Sequence, residues 1–259
     1  MTWTTRPRSD FGKLRCIDAG QGPLVLFLHG VGLRAEAWAE QLNHFSRSCR
    51  VVAPDMPGHG ESAPFGSSPM LQDYTDLVAV MLTEPAVIVG HSMGAMIAVD
   101  LAARYSEKVS GVAALNAIFK RSEAARAAVQ ARAAALDGEH VADPEATLKR
   151  WFDDLESATA VACKKWLTAV DPAGYKAAYT VFAKEDGPSE RALSGLKMPA
   201  LFMTGGLEAN SSPAMSEAMA ALTPQGRAVV LPDAAHMMPM THPDAVNAEL
   251  AKLLAECGL

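Results

Sequence analysis

The sequence predicts an α/β fold in which helices cover both faces of a mostly parallel sheet. Three observations predict it. Short runs of β-branched and apolar residues recur along the chain, each run stops at a glycine or proline cluster, and a stretch with helical spacing follows. The rhythm breaks once. Residues from about 119 to 195 carry no convincing strand and are rich in Ala, Glu, Arg and Lys, which predicts a helical insertion in an otherwise alternating core of 1–118 and 196–259.

Taken in order, "KLRCIDAG" (13–20) alternates loosely and ends in the turn cluster Gly20-Gln21-Gly22-Pro23. "LVLFLHG" (24–30) is an unbroken apolar run halted by glycine, as a strand buried on both faces would be. "RVVAPDMPGHGES" (50–62) starts as a strand and dissolves into a Pro/Gly loop. Residues 73–83 space Leu77, Val80 and Met81 along one helical face. Val87, Ile88 and Val89 form a strand, Met93 to Ala103 a helix, and "SGVAALNAI" (110–118) a further strand. Within the insertion, "SEAARAAVQARAAAL", "PEATLKRWFDDL" and "YKAAYTVFAK" read as helices. The alternation then resumes with the strand "ALFMTGG", the helix "SPAMSEAMAAL", the strand "RAVVLPDAAH" and the closing helix "PDAVNAELAKLLAEC".

Composition narrows the function classes. At 259 residues, 49% apolar and 20% charged, the chain can bury one sizeable core and a smaller appendage. A net charge of −6 with no basic block argues against a nucleic-acid partner. The four cysteines are scattered, without C-x-x-C or Cys/His spacing, so no metal and no cofactor is expected. No apolar run is long enough to span a bilayer, and "MTWTTRPRSDFGK" has no apolar leader pattern; the expectation is a cytoplasmic protein acting on a small molecule, off the membrane. Oligomeric state is not legible.

The chemistry concentrates in Gly90-His91-Ser92-Met93-Gly94, a serine at a sharp joint between a strand and a helix. That turn is strained, demands small flanking residues, and projects the hydroxyl above the sheet edge at a helix start that favours negative charge. His29-Gly30-Val31-Gly32, at the end of an earlier strand, can turn a backbone N–H outward, so the N–H groups of Val31 and Met93 are the expected oxyanion donors. His236, after the last strand, is the expected general base. Glu208 in "TGGLEANSSP" is the leading acid to orient it, with Asp233 the runner-up. His59, His242 and Asp55 read as loop-organising residues and His91 as packing. Trp151, Trp166 and Met237 are the expected substrate-binding residues among the aromatics of the insertion and the methionines after His236, although core packing competes for each. Arg34 is a weaker candidate for meeting a substrate carboxylate.

These blocks, "LFLHGVG", "APDMPGHGES", "VIVGHSMGAM", "TGGLEANSSP" and "LPDAAHMMPMTHP", occur in an order that resembles the α/β-hydrolase fold family, in its capped, single-domain form. The resemblance spans essentially the whole chain. It implies an eight-stranded, mostly parallel sheet with a helical cap inserted after strand six, and a triad in the order Ser92, Glu208, His236. The chain departs from the family pattern where Glu208 stands for the usual aspartate and Ala235 for a common glycine. Serine at 92, where relatives that open epoxides or remove halides carry aspartate, implies acyl chemistry: a carboxylic ester hydrolase working through an acyl-enzyme. C–C bond hydrolase, lactonase and thioesterase activities on the same triad, or a ligand-binding receptor with slow turnover, are the alternatives.

Overall fold

The computed structural model describes residues 3–259; Met1 and Thr2, where the leader reading begins, lie outside them. Eight strands form one sheet: β1 (Ser9–Phe11), β2 (Leu14–Ala19), β3 (Leu24–Leu28), β4 (Arg50–Pro54), β5 (Ala86–His91), β6 (Val109–Leu115), β7 (Ala200–Gly205) and β8 (Gly226–Leu231). Their spatial order is β1-β2-β4-β3-β5-β6-β7-β8. β1–β2 and β2–β4 pair antiparallel, and every pair from β4–β3 to β7–β8 is parallel.

The continuous apolar runs work as two alternating sets. Leu24, Leu26, Leu28 and Ile88 face one core layer, and Val25, Phe27, Val87 and Val89 face the other. The first layer is closed by α2 (Leu71–Met81), α3 (Met93–Arg104) and α9 (Pro213–Leu222), the second by α1 (Ala39–Phe45) and α11 (Pro243–Glu256). Between β6 and β7 run α4 (Glu123–Ala135), α5 (Glu145–Trp151), α6 (Ala158–Ala169), α7 (Pro172–Lys184) and α8 (Glu190–Ser194); the short α10 (Met238–Thr241) follows β8. Trp151, Phe152, Trp166 and Tyr175 gather there in a third apolar cluster, which reaches down to Leu33, Met237 and Met240. Among the described residues, no helix is long and apolar enough to cross a membrane.

Several boundaries differ from the sequence reading. The strand expected to run to residue 118 ends at Leu115, because Asn116 turns to φ 51°. The last strand stops at Leu231, before the Pro232 turn. α5 ends at Trp151 because Phe152 is extended (φ −140°, ψ 136°).

Candidate active site

The joint between β5 and α3 shows why the serine is bracketed by glycines. Ser92 sits at φ 56°, ψ −117°, a left-handed backbone that a serine tolerates only where its surroundings impose it. A Cβ on Gly90 would collide with the Gly94 carbonyl, and one on Gly94 with the Leu28 carbonyl. At Gly30, on the facing turn, a Cβ would come within 2.9 Å of the Ser92 Cβ. Met93 is the first residue of α3, so its N–H has no intrahelical acceptor and lies at the positive end of the helix dipole.

The facing turn is tied down from behind. Gly32 N–H donates to His59 Nε2 (2.9 Å) and Met56 N–H to His29 Nε2 (2.9 Å). Burial pushes both imidazoles well below their ordinary range, His59 to about 3, so their Nε2 atoms stay free to accept. Asp55 accepts from the N–H groups of Ala35 (2.8 Å) and Glu61 (2.9 Å) and from Arg8, whose buried guanidinium also grips Glu36. Asp55 and His59 therefore organise the 55–62 loop against the turn that carries Val31. Arg34 spends its charge on Glu36 (2.7 Å) and is absent from the cavity wall.

Across from Ser92, His236 Nδ1–H donates to Glu208 Oε2 at 2.6 Å. An ionised carboxylate only accepts, so the ring proton resides on Nδ1 and Nε2 is left as the basic nitrogen. Burial opposes ionisation of Glu208. The charge and hydrogen bond of His236, with the backbone N–H groups of Asn210 and Ser211, outweigh it and hold the carboxyl down at about 2. Asp233 is exposed in the turn before the histidine. His242 bonds its neighbour Thr241, away from this group.

Three further residues hold His236, and none was singled out for this in the sequence. The His236 carbonyl accepts from His91 Nε2 (2.8 Å) and from Asn116 Nδ2 (2.6 Å). His91, read as packing, thus links the serine turn to the histidine loop. Asn116 Oδ1 in turn accepts from Thr204 Oγ1 (3.1 Å). Trp151 stacks on the imidazole, centroids 5.0 Å apart and planes 21° from parallel. The positive φ of Asn116 follows from this: a residue leaving β6 in the left-handed region can aim its amide under the histidine carbonyl.

Ser92 and His236 open onto one cavity of about 210 Å³, walled also by Val31, Asn116, Trp151, Tyr175 and Tyr179. No hydrogen bond joins Ser92 Oγ to His236 among the described residues; the two meet at the cavity wall, and such contacts tighten when substrate enters. Of the expected substrate-binding residues, Trp151 lines this cavity. Trp166 does not: it packs edge-on against Trp3 (6.2 Å) inside the third apolar cluster. Met237 is likewise buried in that cluster, outside the cavity wall. Trp166 on α6 and Met237, the residue before α10, both turn into the packing instead.

Comparison with known proteins fits this architecture. A family model described as the alpha/beta hydrolase family matches residues 25–249. The chain is 36% identical over 236 residues to an (E)-2-((N-methylformamido)methylene)succinate hydrolase of Acinetobacter baylyi, covering 89% of each protein. It is 31% identical over 244 residues to a pimeloyl-[acyl-carrier protein] methyl ester esterase of Chromobacterium violaceum, covering 86% of this chain and 91% of that one. The structure superimposes on a malate-bound thermophilic esterase from Thermogutta terrifontis with TM-score 0.83, at 27% identity and 94% coverage of both chains.

Proposed function

The chain belongs to the alpha/beta hydrolase family and is a hydrolase, and from that premise we propose that it cleaves a carboxylic ester of a small or medium substrate by serine catalysis. His236 Nε2 takes the proton of Ser92 Oγ as that oxygen attacks the substrate carbonyl. The Val31 and Met93 N–H groups hold the oxyanion, and Glu208 keeps the imidazole in its Nδ1–H tautomer. Collapse of the tetrahedral intermediate expels the alcohol, which leaves with the proton from His236. Water, deprotonated by the same nitrogen, then attacks the acyl-enzyme and frees the acid and Ser92. We read residues 119–195 as a cap that closes this cavity over a core of 1–118 and 196–259. Four free cysteines suit a reducing cytoplasm.

The observation that supports this most is the pairing in one cavity of a strained, glycine-bracketed serine with a histidine held by a buried carboxylate at 2.6 Å. The test is turnover of a chain-length series of chromogenic acyl esters by wild type and Ser92→Ala. Multiple turnovers with an optimum length are expected in the wild type, with kcat lower by orders of magnitude in the variant. A variant that keeps most of its activity overturns the reading, and a wild type that stops after one turnover points to a binding protein.

A further inference from the structure

The wall of the cavity holds two arginines that no step above uses. Arg132, in the last turn of α4, and Arg150, in the last turn of α5, both line the space that contains Ser92 and His236. Both donate to the same buried oxygen, Thr147 Oγ1, Arg132 at 2.7 Å and Arg150 at 3.3 Å. Two guanidinium groups therefore face each other across one hydroxyl. Arg132 is fixed further by Tyr175 Oη (3.3 Å) and lies 5.1 Å above the Tyr179 ring.

Neither arginine has a carboxylate partner among the described residues, whereas Arg8, Arg34, Arg50, Arg104, Arg126 and Arg227 each have one. The cavity wall contains no Asp or Glu at all. In a chain of net charge −6, the cavity that Ser92 lines carries two arginines and no carboxylate on its wall. Partial burial, and after it the neighbouring Arg132, push the Arg150 guanidinium below its ordinary value against the opposing pull of Tyr179, Tyr175 and Glu208. Such a pair is relieved by an anion that accepts from both forks, and a carboxylate matches that geometry bidentately.

We infer that Arg132 and Arg150 form a carboxylate subsite, and that the substrate is a short acyl compound carrying a free carboxylate besides its scissile bond. This rests on the Ser92 reading for the position of the scissile bond, and on the arginines alone for the charge. The cavity of about 210 Å³ suits a short-chain diacid derivative, a half-ester above all, better than a long acyl chain. Thr147 and Tyr175 act as positioning residues, since they hold Arg132 without needing to touch the ligand.

Two measurements separate the subsite from the serine. Binding of succinate, which offers no scissile ester, is followed by calorimetry in wild type, Ser92→Ala, Arg150→Gln and Arg132→Gln. Succinate is expected to bind wild type and Ser92→Ala alike, at least tenfold more weakly to either arginine variant, and more weakly in high salt. Monomethyl and dimethyl succinate are then compared as substrates: a tenfold or greater kcat/KM preference for the monoester is expected, and it collapses in Arg150→Gln. Among the described residues Arg150 makes one side-chain hydrogen bond, to Thr147 of its own helix, so its variant tests the subsite even if Arg132→Gln is poorly folded. Equal succinate binding in wild type and Arg150→Gln, or a preference for the diester, overturns the inference. Inactivity toward both esters with arginine-dependent succinate binding would instead count against the ester reading alone.

Discussion

Acidification should unfold this protein steeply, through three histidines that fold uncharged. His29, His59 and His91 are buried, and burial is the largest influence on each, pushing all three downward; His59 and His91 come to about 3. In the unfolded chain each returns to about 6.5. Between those limits the unfolded state binds two protons that native His59 and His91 refuse, and His29 acts in the same direction, so stability is present above about 6.5 and is lost as the pH falls toward 3. Each proton contributes a slope of about 1.4 kcal/mol per pH unit, so His59 and His91 together give about 3 kcal/mol per unit, and His29 steepens it. Glu208 and Glu36 act in the same direction. Burial opposes the ionisation of both, but His236 and Arg8 hold them at about 2, so their contribution is present above 4.5 and is lost below it. A native stability of roughly 5–15 kcal/mol is then exhausted within a few units, with cooperative unfolding near pH 4. Urea denaturation at several pH values between 7 and 5, with proton uptake measured on unfolding, reads the slope directly. An unfolding free energy flat over that range, or uptake of less than one proton at pH 5, would refute the reasoning.

The acid of the triad separates from its rival in the same way. Glu208→Gln should lower kcat by on the order of 10³-fold, because it strips the imidazole of its anionic partner, whereas Asp233→Asn, at an exposed position, should stay within about twofold; steady-state kinetics on the preferred ester decides. Asn116→Gly should cost about 1–3 kcal/mol of stability, since glycine accepts φ 51° but the buried bonds to His236 and Thr204 are lost, and should lower kcat about tenfold with KM little changed as the His236 carbonyl loses one donor. An Asn116→Gly enzyme with wild-type kcat would leave Asn116 a purely structural residue.

The strands at the centre of the sheet were legible because burial on both faces writes an unbroken apolar run. β3, β5, β6 and β7 all carry one. The Ser92 turn was legible because its glycines are demanded by backbone collisions, a constraint that residue type alone can carry. Elements stabilised by tertiary contact were not. β1 is three residues long, α1 follows a loop without a clear period, and α6 mixes Lys164 and Lys165 into an otherwise apolar helix. The support of His236 was hidden for a related reason. His91 and Asn116 become neighbours only because β5 and β6 pair in register, with His91 beside Leu115. Arg132 and Arg150 carry no signal in sequence, one on an Ala-rich helix and one on a short helix, and only the packing of α4 beside α5 brings both onto Thr147 Oγ1. Trp151 and Trp166 look equivalent in sequence, yet Trp151 at the end of α5 stacks on His236 and Trp166 stays in the packing.

The central claim is that Ser92 is the nucleophile, activated by His236. Its most direct measurement is intact-protein mass after exposure to a fluorophosphonate, with the adduct mapped by peptide sequencing. One adduct per chain on Ser92, formed in step with loss of esterase activity and abolished in Ser92→Ala and His236→Ala, is the predicted result. An enzyme that stays active and unlabelled, or that carries its adduct on another residue, would contradict the account.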